Sequence, residues 1–86
     1  MRQAQQLLHD AAAILQQRGA SYGDAHQVLA IIAARWSMTL GVQITPAQVA
    51  LCMIDVKLAR LAHDPAHADS AIDVAGYAAL LREVCP

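Results

Sequence analysis

At 86 residues, with a formal charge of −1 and a pI near 6.4, the chain has room for a single domain spanning residues 1–86. The near-neutral charge excludes the basic footprint of a DNA- or RNA-binding protein. Apolar residues make up 57% of the chain, more than a small helical core can hide, so the excess is expected in subunit interfaces.

The first helix is predicted from about Gln3 to Arg18, with Leu7, Leu8, Ala11, Ile14 and Leu15 forming one apolar stripe and Gly19 ending it. Asp24 is a good N-cap for a second helix that runs to Leu40, before Gly41. Between Asp24 and Asp55 the only charged side chain is Arg35, which predicts that this helix is central, buried within the subunit and against a neighbour. Thr45 caps a third helix and Pro46 takes its first position, where a missing N–H costs nothing. That helix extends to about His63, and Asp64-Pro65 breaks the chain. The fourth runs from about Asp69 to Val84. Four helices with short loops predict an all-α, four-helix bundle-like, oligomeric domain.

The uncharged stretch Trp36–Ile54 is long enough to span a membrane, but Gly41, Thr45 and Pro46 make it two helix ends and a turn. The opening MRQAQQLLHD lacks the apolar run of a signal peptide. Cys52 reads as a small core residue and Cys85 as a free thiol. With no CxxC and no zinc spacing, a reducing cytoplasm is expected.

Two clusters carry potential chemistry. In the first, Arg18-Gly19-Ala20-Ser21-Tyr22-Gly23-Asp24, the plain reading is a helix stop, a turn and an N-cap. The sharper reading is a binding loop, with Tyr22 stacking on a base, Arg18 meeting a phosphate and the second helix presenting free N–H groups. The second cluster joins Asp55, Lys57 and Arg60 to His67, Asp69, Asp73 and Tyr77. Asp69, Asp73 and Tyr77 recur at four-residue steps, and two carboxylates one turn apart are the minimum for a helical Mg²⁺ site. The alternative is that Lys57 or Arg60 pairs with Asp69 or Asp73 across the helix interface, or that Asp69 or Ser70 caps the fourth helix with Asp73 completing a capping box. His9, His26 and His63 read as surface residues. There is no G-x-x-x-x-G-K-[ST] and no G-x-G-x-x-G, which excludes a P-loop kinase or dinucleotide enzyme.

Several short motifs recur together. They are R-G-x-x-Y-G-D (Arg18, Gly19, Tyr22, Gly23, Asp24); W-S and L-G (Trp36, Ser37, Leu40, Gly41); I-T-P (Ile44, Thr45, Pro46); K-x-x-R (Lys57, Arg60); and H-x-D-S-x-x-D-x-A-G-Y (His67, Asp69, Ser70, Asp73, Ala75, Gly76, Tyr77). The set, over roughly Ile14 to Leu81, resembles a small phage and prophage family of uncharacterised function. Its Y-G-D and D-x-A-G-Y elements resemble parts of phage nucleotide kinases that lack a P-loop. More remotely, the layout is similar to the MazG-type all-α nucleoside triphosphate pyrophosphohydrolases. The resemblance implies a nucleotide or other phosphate-bearing ligand and a bacterial host cell, in whose cytoplasm the chain is expected as a homo-oligomer on the grounds of its cysteines and its apolar excess.

MazG-type enzymes hold Mg²⁺ through E-E-x-x-E and a later E-x-x-D. Here Leu51 and Cys52 stand at the paired acidic positions with only Asp55 nearby, and Ser70 stands where the later glutamate would be, leaving Asp73. Losing three acids removes most of the charge that would hold the metal, and the basic pair Lys57/Arg60 is better suited to phosphate oxygens. The sequence thus supports two readings. One is a nucleotide-binding or nucleotide-modifying domain using Arg18, Tyr22, Asp24, Lys57, Arg60 and Tyr77, with Asp69 and Asp73 as metal ligands. The other is a non-catalytic helical module that binds a protein partner or sequesters a nucleotide.

Overall fold

Three of the four helices carry local caps at both ends. The computed structural model describes residues 2–22 and 24–85, without the side chains of residues 21 and 22. Helix α1 (Arg2–Tyr22) runs a full turn beyond the predicted stop at Gly19. A glycine ends a helix by adopting the left-handed conformation. Among the described residues it is Gly41, at φ 71°, that does so, and Gly19 stays helical. A helical glycine costs about 1 kcal/mol relative to alanine, too little to stop a helix without a capping geometry.

Helix α2 (Ala25–Leu40) starts as predicted, with the Asp24 carboxylate accepting from the His26 N–H at 3.0 Å. It ends on Gly41, whose N–H donates to Ser37 O at 2.9 Å. The Ser37 hydroxyl donates back to Ala33 O at 2.7 Å and accepts from the Ile44 N–H at 2.8 Å, tying the end of α2 to the next turn. Helix α3 (Pro46–His63) opens with a full capping box. Gln48 N–H donates to Thr45 Oγ1 at 3.2 Å, and Thr45 N–H donates to Gln48 Oε1 at 2.9 Å.

Helix α4 (Ala68–Val84) begins earlier than predicted and with a different cap. His67 Nδ1 accepts from the Ser70 N–H at 3.2 Å and lies 2.7 Å from Ser70 Oγ, so it takes the place proposed for Asp69 or Ser70. The reason is packing. Ser70 is only 2% exposed and must already be within the helix, and Asp73 is engaged with Lys57 instead of closing a capping box.

The widest packing is α3 on α4; α1 rests on α4 and α2 on α3, while α1 and α2 barely meet. Leu29 and Ala33 of α2 pack with Val49 and Ala50 of α3, flanked by Ile32, Trp36, Met53, Leu80 and Leu81. Helix α2 is therefore peripheral within the chain, against the expectation of a central helix. Its only buried residues are Leu29 and Ala33, while Ile31 and Met38 point outward. Cys52 is exposed rather than a core residue, because Val49, Ala50, Met53, Ile54 and Lys57 make up the inner face of α3 and Cys52 falls opposite it. His9, His26 and His63 are exposed, as expected. Among the described residues, no helix is long and apolar enough to cross a membrane.

Candidate functional site

Helices α1 and α4 leave an open cleft of about 510 Å³ between them, closed at one end by the start of α2. Its existence follows from side-chain size. Helix α4 presents Gly76 and Ala79 to the cleft, and a Cβ placed on Gly76 would only just touch Leu15 Cδ2, at 3.9 Å. Ala11, Ile14, Leu15, Ile72 and Leu80 complete an apolar floor.

The polar groups of the cleft are Arg18, Asp24, Asp73, Tyr77 and Glu83. Asp73 is the most constrained. Its side chain is 16% exposed, and Oδ2 lies 3.2 Å from Lys57 Nζ, itself only 20% exposed. Arg18 Nη2 lies 3.9 Å from Oδ1 and is 55% exposed. Lys57 thus meets this largely buried carboxylate with an opposite charge from α3. The looser, more solvated Arg18 is left able to turn toward a ligand at the mouth, where its planar fork matches phosphate oxygens.

The predicted residues are thus divided. Arg18, Asp24, Asp73 and Tyr77 come together in one cleft, with Lys57 supporting Asp73 from behind. Arg60 does not join them. It lines a separate shallow cleft with His63, Asp64 and His67, away from the Lys57–Asp73 contact. Asp69 is exposed in the first turn of α4, where a negative charge complements the helix dipole. Of the two arrangements open to Asp73, the structure has the ion pair, and Lys57 Nζ supplies the positive charge that a metal would otherwise bring. Among the described residues, no group of three or more His, Cys, Asp or Glu side chains able to hold a metal is formed. The side chain of Tyr22 lies outside the described residues. Glu83 was missed by sequence reasoning. The signal was its position seven residues after Gly76, which puts it on the same face of α4.

Residues 6–85 match the family described as a domain of unknown function (DUF6378), and the chain belongs to that family. The Gene 55 protein of Mycobacterium phage L5 is 41% identical over 69 residues, which cover 79% of this chain and 44% of that protein. The chain therefore spans less than half the length of this curated relative. No solved structure matches.

Proposed function

We propose that this DUF6378 domain binds a nucleotide, or a related small molecule with a phosphate, in the cleft between α1 and α4, within the cytoplasm of a bacterial host. The observation that carries the reading is the convergence of Arg18, Asp24, Asp73 and Tyr77 on a mostly apolar cleft. The floor offers area for a base and sugar, Tyr77 a ring and hydroxyl, and Arg18 a phosphate contact at the mouth. Binding without turnover is favoured over catalysis. Asp73 is already paired with Lys57, and Leu51, Cys52 and Ser70 replace three of the acids of the MazG-type pattern. In this reading, Mg²⁺ enters with the ligand's phosphates rather than on a carboxylate cage of the protein.

The test is thermal unfolding with nucleoside mono-, di- and triphosphates, each with and without Mg²⁺. A ligand at about a hundred times its Kd stabilises by about 2.7 kcal/mol, which for a domain of this size raises Tm by roughly 10 °C or more. The shift should disappear in Arg18→Ala and shrink in Tyr77→Leu, and no phosphate should be released. A flat response to every nucleotide would end the reading. Phosphate release that depends on Asp73 would replace binding by catalysis.

A further inference from the structure

We infer that Glu83 reads the base of the nucleotide, and that the base it selects is guanine. The inference rests on the cleft being a nucleotide site, and it concerns the one polar group of that cleft left without a role there. At one end of the cleft Arg18 and Lys57 face Asp73, and Asp24 caps α2. Glu83 lines the same cleft, is exposed, and belongs to no ion pair among the described residues.

The helix register places Glu83 at the far end. Arg18 meets Asp73 and Leu15 lies against Gly76, so α1 and α4 run antiparallel. Ten residues of one helix separate Asp73 from Glu83, about 15 Å along its axis. Past Tyr77, one turn on from Asp73, the lining of α4 is Ala79 and Leu80, faced by Ala11 of α1. The cleft is thus polar at both ends and apolar between them.

This polarity fixes how a nucleotide lies. A phosphate at Glu83 would meet a like charge, and Arg82, the residue before it, does not line the cleft. Arg18 offers phosphate oxygens its planar fork at the other end. The phosphates therefore go to Arg18, the sugar passes over the apolar stretch, and the edge of the base arrives at Glu83.

The carboxylate then decides among bases, because it offers two acceptor oxygens and no donor. Guanine presents N1–H and its N2 amino group side by side, and these two donors meet the two oxygens in the parallel manner of a guanidinium. Adenine and cytosine set an acceptor nitrogen beside their amino group, and uracil flanks its N–H with two carbonyls. Each of those edges turns a lone pair toward the carboxylate, which repels it.

Isothermal titration with GDP, ADP, CDP and UDP, each with Mg²⁺, tests the inference. GDP should bind at least about tenfold more tightly than the other three, the discrimination expected of one good bidentate pair. Inosine diphosphate, which lacks the N2 amino group, should lose most of that advantage. Glu83→Gln replaces one acceptor oxygen by a donor, so the variant should lose the preference for GDP and bind ADP or CDP better than the native chain does. Glu83 is exposed, so circular dichroism should show the helices of the variant unchanged. The comparison of GDP with inosine diphosphate needs no substitution at all. Equal binding of all four bases, a preference for another base, or a guanine preference that survives Glu83→Gln would overturn the inference and leave the nucleotide site standing. A chain that binds no diphosphate would remove both.

Discussion

Helix α4 meets α3 on one side and α1 on the other, and the two contacts differ in kind. Toward α3 the space is filled. Val49 and Ala50 have no exposed surface and Ser70 has almost none, and the Lys57–Asp73 pair closes the polar edge. Toward α1 the same helix offers Gly76 and Ala79, and the volume they leave becomes the cleft. Both contacts are apolar, so hydrophobicity does not distinguish them. What differs is whether the side chains fill the space between the axes, as a close-packed interior requires. Asp73 stands at the boundary, held by a cation from the filled side and reached by Arg18 from the open one.

The sharpest way to break this comparison is to make the same truncation on each side. Leu29→Ala, in the filled core, should cost about 2–5 kcal/mol, since Leu29 is 2% exposed. Leu15→Ala, half-buried on the cleft floor, should cost about 1 kcal/mol. Chemical denaturation measures both, and equal costs would mean that the cleft is packed like the core. At the boundary, Asp73→Asn leaves Lys57 largely buried and unpaired, for a loss of about 1–3 kcal/mol. Arg18→Ala removes an exposed partner and should cost no more than about 0.5 kcal/mol. The reverse order would put the anchoring charge on the wrong side of Asp73. The smallest effect concerns the open side alone. Gly76→Ala should raise stability by about 0.5–1 kcal/mol, because the new Cβ finds ordinary contact with Leu15 at 3.9 Å. A loss instead would show that α1 and α4 approach more closely than the cleft implies.

The elements most legible in the sequence were those fixed by chemistry within a few residues. Asp24, Gly41, Thr45 and Pro46 announce their helix ends, and each sits where its cap requires. Gly19 and Asp69 misled for a related reason. Each is a residue type that suits a boundary, but the true boundaries lie elsewhere, after Tyr22 and at His67, whose ring nitrogen does the work of a carboxylate oxygen. Histidine is not among the usual capping residues, so composition gave no hint. The candidate site was half legible. Four-residue steps bring Asp73 and Tyr77 to one face, but the separation of Lys57 from Arg60 depends on where α3 meets α4. The peripheral position of α2 was hidden because an apolar composition does not say which sides of a helix its neighbours cover.

The Ser37 hydroxyl also bears on the order of folding. It joins Ala33, four residues behind it, to Ile44, seven ahead, and the capping box of Thr45 and Gln48 follows at once. These contacts close short loops, which cost little entropy. Helices α1 and α4, by contrast, are separated in the chain by the whole of α2 and α3. The hairpin is therefore expected to form early and the cleft last, in keeping with the dependence of folding rate on the sequence distance of contacts. Ser37→Ala should then slow folding nearly in proportion to its cost in stability, while Leu15→Ala should act almost wholly on unfolding. Ratios of folding to equilibrium effects near one and near zero would establish that order, and the opposite pattern would place the cleft in the folding nucleus.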